Sequence, residues 1–189
     1  DLPVAFNGLK IAQISDLHSG SFSSPEFFRA AFDRILELKP DLIFFTGDLV
    51  NNASAEAEPF INEFKRLKAK HGVYSILGIH DYGDYGPWPS VEAKNQNLAR
   101  LKDIHRESGW QILLNDNAEL EIDGEKLAIV GVENWGASRH FPKYGNIDKA
   151  VAGVESIPFK ILLSHDPSHW EAQVVDHPQK FQLTFSGHT

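Results

Sequence analysis

The chain is predicted to be an α/β protein, on three observations. Short apolar runs of strand length alternate with segments whose apolar residues recur at helical spacing. The first of these runs is apolar on both faces, as a strand buried in a sheet is. Five of the runs break off into loops that carry Asp or His, and an open α/β sheet binds ligands at the carboxyl ends of its strands.

The elements follow in order. Lys10–Ser15 reads as a buried strand through Ile11, Ala12 and Ile14, and it emerges at Asp16-Leu17-His18. Ser24 suits a helix cap, Pro25 the first helical position and Glu26 the positive helix end. Phe28, Phe32, Ile35 and Leu36 then repeat at helical spacing to about Leu38, before Lys39-Pro40 stops the helix. The Phe-rich stretch Phe27–Phe32 reads as core. Asp41–Thr46 is a second buried strand and runs into Gly47-Asp48, where Gly permits a tight turn. Asn51–Pro59 is a connector or a helix start, with Asn51 and Asn52 as caps. Phe60, Phe64 and Leu67 mark a helix to about Lys70, closed by His71-Gly72.

Val73–Leu77 is a third strand, ending in Gly78-Ile79-His80-Asp81. The aromatic, Gly- and Pro-rich loop Tyr82–Pro89 either shapes a substrate pocket or is a surface loop pinned by Trp88. Ser90 caps a helix with Val91, Leu98, Leu101 and Ile104 inward, ended by Gly109. Ile112–Leu114 is a short strand. Asp123-Gly124 between Ala118–Ile122 and Lys126–Val132 is a hairpin signal. Asn134 and Trp135 follow it, either lining a pocket or in a plain loop. Residues 137–146 read as irregular and Ile147–Val154 as a short helix. Phe159–Leu163 runs into Ser164-His165-Asp166-Pro167, His169–Val175 is a helix, and Phe181–Phe185 runs into Ser186-Gly187-His188.

Of the nine His, those at strand ends are His18, His80, His165 and His188. His71, His105, His140 and His177 read as surface residues, and Asp166 as a helix cap. Strand ends thus collect Asp16, His18, Asp48, His80, Asp81, His165 and His188. Carboxylates and imidazoles without thiolates suit Mn, Fe, Zn or Mg. Several ligands around one shared acid fit two ions, which together clamp the oxygens of a phosphoryl transfer.

The bulk numbers bound the rest. With 189 residues the chain fits one domain with a sizeable core. A net charge of −8 argues against an electrostatically driven nucleic-acid binder. There are no cysteines, so disulfides and thiolate metal sites are excluded. No apolar run reaches the roughly 18 residues of a membrane helix. The first residue is Asp1 rather than Met, consistent with a processed or trimmed piece.

The chain resembles the calcineurin-like metallophosphoesterase superfamily, most nearly a bacterial phosphodiesterase branch often associated with membranes. The family pattern D-x-H, G-D-x-x-[DN], G-N-H-[DE], a later lone H and G-H-x-H stands here as Asp16-Leu17-His18, Gly47-Asp48-Leu49-Val50-Asn51, Gly78-Ile79-His80-Asp81, His165 and Gly187-His188-Thr189. The resemblance implies a four-layer α-β-β-α sandwich forming one domain over residues 1–189, with its C-terminal strands missing. It implies two divalent ions: Asp16 and His18 on the first, His165 and His188 on the second, Asp48 on both. His80 would face the phosphate with Asp81 orienting it, while a metal-bridging hydroxide attacks phosphorus. The substrate would be a small-molecule or lipid phosphate ester, with membrane association through a segment outside this chain.

Two departures stand against the pattern. The family's Asn, a ligand to the second ion, is Ile79 here, and isoleucine has no donor atom. The sequence ends at Thr189, where the family continues with a His that completes the first ion. Weakened metal binding and low activity are therefore expected, and a degenerate fold used as a binding scaffold is the alternative.

Overall fold

Alternation along the central strands builds the layers of the fold. The structure is a computed structural model and describes residues 1–139 and 142–188. In β2 (Leu42–Phe45), Leu42 and Phe44 enter one apolar cluster while Ile43 and Phe45 enter another. Both faces of this strand are buried, as its continuous apolar run requires.

Strands β1 (Ile11–Ile14), β2, β3 (Val73–Ser75) and β4 (Gln111–Ile112) form an all-parallel sheet in that order. A second sheet contains β5 (Asp116–Ile122), β6 (Glu125–Gly131), β7 (Lys160–Leu163) and β8 (Leu183–Phe185). Its β5–β6 pair is the expected antiparallel hairpin, turning through Asp123 and Gly124 at φ 51° and 81°. The pairs β6–β7 and β7–β8 are parallel.

The sheets meet face to face over Leu42, Phe44, Ile76, Leu127, Ile129 and Leu163. Outside the first sheet lie α1 (Glu26–Glu37), α2 (Ile61–Phe64) and α3 (Val91–Glu107), contributing Phe28, Phe32, Phe64, Leu101 and Ile104. Outside the second lie α4 (Ile147–Ala150) and a π-helical turn at Trp170–Val174, packed on Ala128, Val130 and Leu162. The order is therefore helix, sheet, sheet, helix, the expected four-layer sandwich.

Several local expectations are corrected. β1 is an edge strand, so Gln13 is exposed and Ile11 and Ala12 only half-buried. α1 begins at Glu26 with Pro25 at the cap position, and no side chain caps it; the Ser24 hydroxyl bonds the Glu26 carboxylate instead. The helix expected to reach Lys70 shrinks to Ile61–Phe64, and turns carry the chain onward while Phe60, Phe64 and Leu67 stay buried. Ser90 does cap α3 by accepting the Ala93 N–H at 3.1 Å, but Val91 in its first turn is 77% exposed rather than inward. Phe27 is exposed although its neighbours Phe28 and Phe32 are core. His105 is fully buried, not at the surface, between Phe45 and Trp110. His140 and Thr189 lie outside the described residues.

The parallel registers level the strand ends. Ile14 pairs with Phe45, Phe45 with Ser75, and Leu163 with both Gly131 and Phe185. The loops that follow these residues therefore leave the sandwich at one end.

Candidate metal centre

Three of the strand-end loops turn sharply as they present their side chains. Asp16, His18, Asp48 and His188 all have left-handed backbones, at φ 55°, 44°, 59° and 61°. Such conformations are uncommon for residues other than Gly, Asn and Asp. The cross-strand bonds hold them: Asp16 N–H donates to Gly47 O at 2.9 Å and His18 N–H to Asp48 O at 3.1 Å. Asp48 sits against Gly78, and any side chain on that glycine would run into the Asp48 carboxylate.

Asp48 is the meeting point. It is 1% exposed. Its Oδ2 lies 3.1 Å from His165 Nε2 and 3.8 Å from His18 Nε2, and its Oδ1 accepts the His80 N–H at 2.9 Å. Two groups of candidate ligands share it: His18, Asp48 and His80, and Asp48, His165 and His188, with the ligand atoms of each group within 4.8 Å of one another. Burial alone would push the Asp48 carboxyl up, but the His165 imidazole and the His80 amide outweigh it and hold it below the usual carboxylate range. Burial likewise opposes the charged form of His165, and the Asp48 carboxylate outweighs it and pushes the imidazole up.

The donors fit a metal ion. His165 Nδ1 lies 2.7 Å from the Thr46 carbonyl, which only accepts, so that nitrogen carries a proton. Its Nε2 is left buried without an aligned hydrogen bond, although Asp48 is close. A buried imidazole nitrogen of this kind, its other nitrogen tied to a carbonyl, is the arrangement of a metal-ligating histidine. The donor set of imidazole and carboxylate, without thiolate, suits Mn, Fe, Zn or Mg.

Asp16 stands next to the two groups rather than in either, and its carboxylate accepts the His188 N–H at 3.1 and 3.2 Å. Gly187 permits this approach, since a side chain there would strike Ser15 and Asp16. The His80 ring has its Nδ1 2.7 Å from the Asn51 carbonyl rather than on the neighbouring Asp81. The buried Asp81 carboxylate accepts the N–H groups of Asp48, Leu49, Val50 and Gly78, so it organises the backbone that carries Asp48 and His80. Burial and then the Asp48 charge push its carboxyl up to about 7.

Other residues fall into place around the centre. Ile79 is 2% exposed, yet it belongs to none of the three apolar clusters among the described residues. Asn51 and Asn52 donate their amides to Glu56, a start-of-turn arrangement, while the Asn51 carbonyl serves His80. Asp166 caps the turn after β7 by accepting the Ser168 N–H and hydroxyl at 2.8 and 2.6 Å. His169 is buried, bonded to Ser164 and Gln173, and stacked under Trp135. The carbonyls of Thr46 and Asn51 were invisible to sequence reasoning, because every residue has one.

The described helices contain none long and apolar enough to cross a membrane. Among relatives, a Bacillus subtilis metallophosphoesterase, YkuE, is 30% identical over all of this chain and 60% of its own length. The UDP-2,3-diacylglucosamine pyrophosphatase LpxG of Chlamydia trachomatis is 28% identical over all of this chain and 66% of its own. The chain thus spans about two thirds or less of these relatives. Among solved structures, the Haemophilus influenzae NAD nucleotidase superposes with TM-score 0.60 at 18% identity, over 96% of this chain and 38% of that one, a likeness of fold alone. The calcineurin-like phosphoesterase family model matches residues 9–189. With that match laid over the strand-end carboxylates and imidazoles, the chain belongs to the calcineurin-like phosphoesterase family.

Proposed function

We propose that the chain hydrolyses a phosphate ester, a phosphodiester or phosphomonoester, with two divalent ions. The observation that carries the reading is Asp48, one buried carboxylate shared by two histidine-containing ligand groups. Asp16 and His18 are assigned to one ion, His165 and His188 to the other, and Asp48 to both. Bound ions would neutralise the phosphoryl oxygens and activate water. The chain's own residues do the rest. Asp48 keeps its charge at neutral pH. His165 is oriented by the Thr46 carbonyl. His80 is held with Nδ1 on the Asn51 carbonyl, which leaves Nε2 to face the phosphate and, in the doubly protonated imidazolium, to give its proton to the leaving oxygen. Asp81 acts through the backbone beneath both.

The substrate class extends from the relatives. LpxG is named a UDP-2,3-diacylglucosamine pyrophosphatase, and a Danio rerio relative is named a transmembrane protein with a metallophosphoesterase domain. Both support a lipid or other membrane-associated phosphate ester as substrate here. Ile79 favours a second reading, a scaffold whose chemistry is weakened, because a buried isoleucine occupies the position of a ligand.

One experiment separates them. Elemental analysis and Mn titration count ions on the chain and on Ile79→Asn, and hydrolysis of bis(4-nitrophenyl) phosphate is measured on both. About two ions per chain, with turnover raised at least tenfold by the Asn variant, is expected, since even residues behind the ligands affect metal affinity by 10–100-fold. No metal uptake by either form defeats the phosphoesterase reading, and wild-type turnover unchanged by Ile79→Asn defeats the proposed weakening.

A further inference from the structure

His80 is gripped from three sides. Its Nδ1 lies 2.7 Å from the Asn51 carbonyl, and the His18 ring meets it edge-on with centroids 4.8 Å apart. On its flat side lies Tyr85, with centroids 4.4 Å apart and planes 25° from parallel. Tyr85 itself is 54% exposed, so apolar burial does not explain where its ring rests.

The loop that carries Tyr85 is fastened by residues other than His80. The Tyr85 N–H donates to Asn52 Oδ1 at 3.2 Å, and the Trp88 indole N–H donates to the Gly83 carbonyl at 2.6 Å. Asp84 takes an ion pair from Lys94 and the Tyr144 hydroxyl at 3.3 Å. Gly86 packs directly against the Asn52 amide, which a side chain there would push aside. Asn52 in turn follows Asn51, whose carbonyl holds the imidazole. The backbone on either side of the stack is thus fixed by independent anchors that converge on one ring.

We infer that Tyr85 is a positioning residue for His80: lying flat on the imidazole, it keeps the ring beside His18 and Asp48 and stops it from swinging out towards solvent. Its kinetic consequence rests on the phosphoesterase reading; its conformational consequence does not. The ring face is what matters, so phenylalanine substitutes for tyrosine and an aliphatic residue does not.

The test compares wild type, Tyr85→Phe and Tyr85→Leu, with urea unfolding as the control for fold. If Leu disturbs the fold, Tyr85→Asn replaces it. In the metal-free chain, imidazole ¹H–¹⁵N spectra are expected to show His80 as one tautomer protonated at Nδ1 in wild type and Tyr85→Phe, and averaged in Tyr85→Leu. With Mn, hydrolysis of an alkyl phosphodiester is expected to lose about tenfold in kcat in Tyr85→Leu, a fraction of what a positioned general acid contributes. KM is expected to stay within about twofold, and an ester with a 4-nitrophenyl leaving group, which needs little protonation, to lose less. Wild-type His80 spectra in Tyr85→Leu overturn the inference, as does an unchanged alkyl-ester kcat. A wild-type chain that binds no metal and cleaves neither ester defeats the phosphoesterase reading instead, and the spectra then decide Tyr85 by themselves.

Discussion

Replacing Asp81 with asparagine separates two ways in which a buried carboxylate can serve a neighbouring histidine. Asp81 is fully buried. Its Oδ2 accepts the Asp48 and Gly78 N–H groups at 2.9 Å each, and its Oδ1 accepts those of Leu49 at 2.8 Å and Val50 at 3.3 Å. Asparagine keeps the shape but has one carbonyl oxygen. Whichever way its amide is turned, the NH₂ faces two backbone donors and cannot accept from either. Each buried donor left unsatisfied costs about 1–3 kcal/mol, so two cost about 2–6 kcal/mol. An opposing effect reduces this. Burial and the Asp48 charge push the Asp81 carboxyl up to about 7, so removing its charge relieves repulsion from Asp48. The net expectation is the lower half of that range, about 2–4 kcal/mol of lost stability.

Urea unfolding of the metal-free chain at pH 8, fitted for the midpoint at constant m, measures this directly. The same variant is expected to take up Mn more weakly, because the loosened amides are those of Asp48 and Gly78 or those of Leu49 and Val50, on the backbone that carries Asp48. If Asp81 acted on the His80 ring alone, the variant would alter His80 and leave unfolding untouched. A midpoint within experimental error of wild type therefore refutes the role assigned to Asp81.

Two further outcomes follow from the same geometry. Asp48→Asn is expected to abolish uptake of both ions, whereas His165→Ala removes one; isothermal titration with Mn reads the stoichiometry, and loss of a single ion in Asp48→Asn would show that Asp48 is not shared. His105 is buried with Nδ1 2.9 Å from the Ser75 hydroxyl, and burial pushes its imidazole down from an ordinary 6.5 to about 3. The unfolded chain therefore binds the proton first: the contribution of His105 is fully present above pH 6.5 and is lost as pH falls towards 3. Between pH 6 and pH 4 the unfolding free energy of wild type is expected to drop faster than that of His105→Gln by about 1.4 kcal/mol per pH unit, and parallel pH profiles would refute it.

The residue types of the centre were legible because metal and phosphate chemistry needs particular side chains, and those side chains stop apolar runs conspicuously. The layers were legible for a related reason: Leu42–Phe45 has no polar face, so both sides of its strand had to be covered. The partners of each side chain were not legible. His80 and His165 are oriented by the carbonyls of Asn51 and Thr46, which carry no mark in a sequence. Asp81 reads as the neighbour of His80, yet its carboxylate turns to four backbone amides. His105 stands in an amphipathic helix of mostly polar residues, and only the packing of Phe45 and Trp110 shows that it is core.

The sharing of Asp48 also lies beyond what spacing reveals, and strand order explains it. β2 runs between β1 and β3, so the loop after it is flanked by His18 on one side and His80 on the other. The second sheet, packed across the Leu42 and Phe44 face, brings His165 against the same carboxylate. A central strand buried on both faces delivers its terminal residue to the middle of the site, which is why Asp48 is 1% exposed while Asp16 and His18, after an edge strand, are half-buried. Any acid at the end of an edge strand meets neighbours on one side only. The other interior strands that end in acids spend them on the backbone and on Ser168, Asp81 after β3 on four amides and Asp166 after β7 on the Ser168 N–H and hydroxyl, so Asp48 after β2 is the carboxylate left to serve the two ions proposed.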